Sequence, residues 1–281
     1  MHEIALVPQA RLPRAHHDRH VLASTVDAFG AAHWLLTERV PERGTDAGPY
    51  DALVVSVTDD GAVETAELSA VRARWPELDR LPDGRFVVAS SRCDGDEDTG
   101  QVQIFDTLGR EYHAFSVGDA IQHLLVDEAG DLWAGHFDEN PLGIRRWSAT
   151  GELLWASEDD PGAGWITDCY ALNVSGTGVW ACPYVDFPLL EIRPGQDVRR
   201  RTGIVGGADS LAVHGERVAF LDHGRIVHGE MTGSSVERRD VARLTRPEGG
   251  PVGRRRVAAR GSRVYVGYGP LADWGVFDLS A

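Results

Sequence analysis

Three short stretches hold the side chains best suited to chemistry. In "WAGHFDENP" (133–141) an apolar run releases His136, Asp138 and Glu139 together. In "ITDCYALNV" (166–174) Asp168 and Tyr170 alternate, and in "CPYVDFPLL" (182–190) Tyr184 and Asp186 alternate again. Side chains of an extended strand point to opposite faces in turn, so His136 and Asp138 are expected on one side and Phe137 on the other. An imidazole beside carboxylates suits acid–base catalysis or ligation of a divalent ion, provided that other segments complete the set. His136, Asp138 and Asp168 are therefore the candidate catalytic residues. Asp138, Asp168 and Asp186 are the candidate ligands of a Ca, Mg, Mn or Zn ion, and Tyr170, Tyr184, Asp186, His123 and Glu139 the candidate ligand-binding residues. The plainer alternative is a set of polar strand exits whose carboxylates are satisfied by tyrosine hydroxyls, backbone amides and neighbouring strands.

Other clusters are weaker. "CDGDEDTGQ" (93–101) sets Asp94, Asp96 and Asp98 at alternate positions, as calcium ligation would, but Phe105 stands where the helix-loop-helix pattern needs glutamate. A solvated acidic loop is the expected reading. "RAHHDRH" (14–20) offers three histidines on a linking segment. Of Cys93, Cys169 and Cys182, Cys182 sits in an apolar run and reads as core, while Cys169, beside Asp168, is the one thiol worth testing as a nucleophile. No GxSxG elbow, phosphate-binding glycine loop, HExxH or paired CxxC occurs, which removes the common serine hydrolase, nucleotide-binding and zinc-protease readings.

Composition narrows the class. With 28 basic against 43 acidic residues the net charge is −15, which argues against binding to nucleic acid through its phosphates. The triplets Arg199-Arg200-Arg201 and Arg254-Arg255-Arg256 read as solvated faces. No apolar stretch reaches the length of a membrane span and the N-terminus lacks signal-peptide character, so a cytoplasmic protein with reduced thiols is expected, with no membrane partner.

The elements that position these residues follow from a repeat. "DGRFVVAS", "AGDLWAGH", "SGTGVWAC", "HGERVAFL" and "RGSRVYVG" each set a glycine just before an apolar strand, and Gly84, Gly130, Gly176, Gly215 and Gly261 recur about 40 to 46 residues apart. "FGAAHWLL" around Gly30 is a weaker copy. A second series, Gly61, Gly109, Gly151, Gly195 and Gly233, marks another hairpin turn in each unit. Each unit reads as four antiparallel strands, A to D, and six units predict an all-β, six-bladed propeller spanning residues 1–281 as one domain. The last unit has only three strands, so "HEIALVP" (2–8) is expected to supply its outer strand and close the ring. Splitting residues 14–70 into two units would give seven blades, but "PERGTDAGP" (41–49) reads as one long loop.

In this topology the glycine turns share one face, and the B–C and D–A loops share the other. His16, His17, Asp119, His123, His136, Asp138, Asp168, Tyr170, Tyr184, Asp186, Asp222 and His223 are all expected on the loop face, around the channel mouth.

"GDLWAGHFDE", "ITDCYALNV" and "YVDFPLLEIR", in successive blades, resemble segments of an uncharacterised group of actinobacterial propeller proteins, over about residues 84–225. More broadly the blades resemble those of NHL-type and gluconolactonase-like propellers. The latter resemblance implies a central divalent metal and lactone or ester substrates, yet the family's glutamate and asparagine-glycine segment have no counterpart here, and its catalytic residues are not carried over. The expected function is binding of a small molecule in the central funnel, with metal-assisted hydrolase, isomerase or lyase chemistry. The alternative is a non-catalytic scaffold whose protein partners meet Trp274, Tyr268 and the surroundings of Phe187.

Overall fold

The computed structural model describes residues 2–42, 48–93, 100–253, 256–270 and 272–281. Two short N-terminal strands, β1 (Glu3–Ala5) and β2 (Val7–Ala10), precede six sheets. Blade one comprises β3 (His20–Val26), β4 (Ala32–Thr37), β5 (Tyr50–Val57) and β6 (Val63–Val71). Blade two is β7 (Pro76–Arg80), β8 (Phe86–Ser90), β9 (Val102–Phe105) and β10 (Glu111–Phe115). Blade three is β11 (Ile121–Val126), β12 (Leu132–His136), β13 (Ile144–Trp147) and β14 (Leu153–Ala156). Blade four is β15 (Asp168–Ser175), β16 (Gly178–Tyr184), β17 (Leu189–Ile192) and β18 (Arg199–Arg201). Blade five holds β19 (Ser210–His214), β20 (Arg217–Asp222), β21 (Arg225–Thr232) and β22 (Ser235–Thr245), and blade six β23 (Arg256–Arg260), β24 (Arg263–Tyr268) and β25 (Asp273–Asp278). This is the six-bladed propeller that the glycine repeat predicts. β3 to β6 form one sheet in which β4 pairs directly with β5, so the seven-bladed alternative falls.

The ring closes differently in one detail. The N-terminal segment is expected to form one outer strand, but it divides at Leu6. β2 pairs antiparallel with β25 and completes blade six, while β1 runs parallel to β22 and extends blade five. Leu6 is buried in the core between these two blades, and its N–H donates to the Thr245 carbonyl at 2.9 Å. One short segment thus staples two blades, covering edges that would otherwise be free to pair with other chains.

The core is six interfaces, one between each pair of neighbouring blades. Each sheet is covered on both faces, which is why the second strand of each blade reads as a nearly unbroken apolar run. In "AHWLL", Trp34 and Leu36 pack towards blade six, and Leu35 between them packs towards blade two. The repeat glycines take positive φ at their turns, except Gly176, where Gly178 takes the unusual conformation instead. Two A–B turns share a further device: Asp27 and Asp127 each accept two backbone N–H groups of their own turn. Their second oxygens hold His33 (2.9 Å) and the Trp133 indole N–H (3.0 Å).

Candidate functional site

The inner strands β3, β7, β11, β15, β19 and β23 adjoin one another around the axis. At the glycine-turn end they are tied across it. Arg260 Nη2 meets Asp79 Oδ2 at 2.6 Å, and Arg260 also donates to the carbonyls of Val26 (3.2 Å) and Val126 (2.7 Å). The Val126 N–H donates to Asp79 Oδ2 at 2.7 Å. Asn173 donates to the carbonyls of Leu211 and Gly261 at 2.8 Å each and accepts the Gly261 N–H at 2.8 Å. Asp79, Arg260 and Asn173 are all buried, and every blade contributes at least one partner. Buried polar groups so fully satisfied form a rigid floor, and the axis is sealed rather than open from face to face.

Above this floor a funnel of about 1350 Å³ opens on the loop face. Its wall is made by the beginnings of the inner strands, the loops that enter them and parts of the B–C loops, among them Phe137 and His223. Of the expected site residues, Asp168, Tyr170 and His123 line it. His123 Nε2 donates to the Tyr170 carbonyl at 3.1 Å, and desolvation pushes this imidazole below its usual range, towards the neutral form. Asp168 accepts the Glu139 N–H at 3.3 Å and the Thr167 hydroxyl at 3.4 Å. Tyr170 stacks edge-on against Phe187 with ring centres 5.3 Å apart, and Tyr184 lies on the same Phe187 at 5.4 Å.

The other expected residues lie elsewhere. His136 is fully buried between blades two and three, its Nδ1 bonded to the Asp119 carbonyl at 2.9 Å and its Nε2 without a partner. Desolvation pushes it down to about 4. β12 ends at His136, so the expected alternation does not carry through to Asp138, and it is Phe137 that meets the funnel. Asp138 turns away in a left-handed conformation and pairs with Arg92 at 2.7 Å, while Arg92 covers the Phe137 ring at 4.5 Å. Glu139, Tyr184 and Asp186 also lie outside the funnel wall, and the largely exposed Asp186 carboxylate has Arg200 at 3.9 Å.

Asp138, Asp168 and Asp186 therefore do not share a coordination sphere, and among the described residues no three His, Cys, Asp or Glu side chains gather as a metal centre requires. The described donors do not fit the divalent metal expected from the sequence. Asp94, Asp96 and Asp98 lie outside the described residues, as do Arg254 and Arg255. His16 and His17 belong to the linking segment, where His17 holds the Leu12 carbonyl at 2.9 Å. Cys169 is buried, and burial pushes its thiol well above the usual range, which disfavours the nucleophilic thiolate; Cys182 is pushed up to about 12.

Sequence reasoning missed Glu77 and read Arg256 only as part of a solvated arginine triplet, yet both line the funnel. Ser91 Oγ donates to Glu77 Oε1 at 3.2 Å. Burial pushes the Glu77 carboxyl up to about 7, against the opposing pull of Arg256. Arg256 Nη2 donates to the Leu22 carbonyl at 2.9 Å. The signal was available in "WPELDR" and "RVAAR": each sets its charged residue where an inner strand begins, the position Asp168 holds in blade four. Glu77 forms no cluster in sequence, and the triplet that holds Arg256 reads as a solvated face, so a search for clusters does not bring the two together.

No family model matches the chain, and no curated protein sequence matches it. Solved structures do. Virginiamycin B lyase from Staphylococcus aureus, in a structure with quinupristin, matches at TM-score 0.50 and 11% identity over 95% of this chain and 97% of that one. A streptogramin B lyase matches at 0.51 and 13% identity, over 90% and 77%. Hsv2 of Kluyvelomyces marxianus matches at 0.53 and 9% identity, over 93% and 73%. At such identities the likeness is one of fold, and that fold is the β-propeller.

Proposed function

We propose that the protein binds a small molecule in the funnel on its loop face and performs acid–base chemistry on it. The observation that supports this best is the blind concavity itself. A sealed floor excludes a through-channel, and a wall with a few oriented polar groups is the usual form of a small-molecule site. Glu77 is the candidate proton-transfer group, because a carboxyl near 7 can both give and take a proton at neutral pH. Asp168, Tyr170 and His123 are candidate positioning groups beside it. Lyase chemistry is the first class to assay, since two of the similar structures are lyases, but shared architecture does not transfer a reaction.

A scaffold function has one observation in its favour, the half-exposed ridge of Tyr170, Tyr184 and Phe187 at the rim. Two of its other expected contacts, Trp274 and Tyr268, are core residues at 1% and 5% exposure. Thermal-shift screening of a metabolite library against wild type and Tyr170→Ala tests the main reading. Stabilising compounds whose effect falls with the substitution support it. A library without hits, or hits indifferent to every change in the funnel wall, overturns it.

A further inference from the structure

The inner strands of blades two and six face each other across the funnel beside blade one, and they carry acid and base in matching order. On β7 these are Glu77 and Asp79; on β23 they are Arg256 and Arg260. The lower rung, Asp79 with Arg260, is closed and buried at 2.6 Å. The upper rung lies in the funnel wall, where the Arg256 charge acts on the Glu77 carboxyl.

The arginines of the wall are not spread evenly. Arg19, Arg74 and Arg256 all come from blades six, one and two or the segments entering them, while the histidines of the wall, His20, His123 and His223, are spread over blades one, three and five. Its aspartates, Asp168 and Asp209, come from the opposite side, blades four and five. Three of the basic groups are held in place: Arg19 by Glu38 at 3.4 Å, Arg74 by the Gly48 carbonyl at 3.2 Å, and Arg256 by the Leu22 carbonyl at 2.9 Å. In a chain of net charge −15 such an arc of positive charge stands against the background, and a concave site focuses its field on an entering ion. Beside it, Trp75, 41% exposed, offers an apolar surface in the same wall.

We propose that the ligand of this funnel is an organic carboxylate with an apolar or aromatic body. Its carboxylate seats on Arg256, its body lies along Trp75, and the Glu77 side chain stands beside the bound anion. The planar guanidinium fork suits a carboxylate in a two-point contact. A protonated neighbour also spares the anion a like charge, which an ionised Glu77 would impose. This rests on the reading of the funnel as a small-molecule site.

The test uses the full chain and two matched pairs of probes, 4-phenylbutyrate with 4-phenylbutanamide and 1-naphthoate with 1-naphthamide. Binding is measured by saturation-transfer NMR and titration calorimetry near pH 6. The acids are expected to bind at least tenfold tighter than the amides and to weaken as salt is raised. Arg256→Gln is expected to cost the acids tenfold or more and the amides little, Arg256→Lys to recover part of the acid affinity, and Trp75→Ala to weaken both kinds. Melting curves of each variant confirm that the fold persists.

Equal binding of acids and amides, or acid binding indifferent to Arg256→Gln, overturns the carboxylate assignment. If neither pair binds while neutral compounds bind with sensitivity to Tyr170→Ala, the assignment falls and the funnel reading stands. If nothing binds in the funnel, both fall.

Discussion

Replacing Glu77 by Gln removes a titration that the fold makes costly. The carboxyl sits at about 7 in the folded chain against an ordinary value of 4.5, chiefly because burial disfavours its charge. Between those values the folded protein holds a proton that the unfolded chain has released. The stability contribution is therefore complete below 4.5 and is lost as pH rises through 7. At about 1.4 kcal/mol per pH unit the loss is about 3 kcal/mol by pH 8, an upper figure because one side of the carboxyl meets the open funnel. With an unfolding entropy of about 0.6 kcal/mol/K for a chain of this length, the difference is about 5 °C in Tm. Glu77→Gln keeps the size of the side chain and can still accept the Ser91 hydroxyl. Scanning calorimetry of both proteins from pH 4.5 to 9 should show melting temperatures that agree at the acid end and separate as pH rises, with the variant the more stable. Taking the difference between the two proteins cancels the titration of His123 and the other groups facing the same cavity. Parallel curves from pH 5 to 8, or a variant less stable at every pH, would show that Glu77 ionises normally and would remove the basis for its proposed role.

Asp79→Ala leaves Arg260 charged and unpaired in the floor, and unfolding experiments should show a loss of about 3–5 kcal/mol. The joint replacement Asp79→Leu with Arg260→Met should recover part of that loss, and a double variant as unstable as the single one would refute the ion-pair account. His136→Gln should flatten the acid limb of stability. An imidazole that protonates at about 4 in the fold contributes stability that is present above its usual 6.5 and lost as pH falls, worth about 3 kcal/mol across that window. Identical acid limbs in the two proteins would contradict this. Deleting residues 2–10 removes the staple of blades five and six. It should lower Tm by about 10 °C or more and promote concentration-dependent association through the uncovered β22 and β25, seen by light scattering.

The sequence by itself determined the architecture, because the propeller is a local code repeated. Glycines before apolar strands fix the hairpins, the hairpins fix the four-stranded unit, and their spacing fixes six units and separates a turn face from a loop face. That map sufficed to bring Asp168, Tyr170 and His123 to the funnel. It could not say which side of a strand meets the axis, since each sheet is buried on both faces and period-two alternation is the same for either choice. His136 accordingly entered an interface between blades while Phe137 took the funnel, and Asp138 went to Arg92. Tertiary structure alone also decided the division of the N-terminal segment at Leu6, where the second neighbour is a strand in blade five. The same holds for Glu77 and Arg256. They are distant in sequence, one of them reads only as a member of a solvated arginine triplet, and they meet only because closing the ring brings the inner strands of blades two and six to one side of the same cavity.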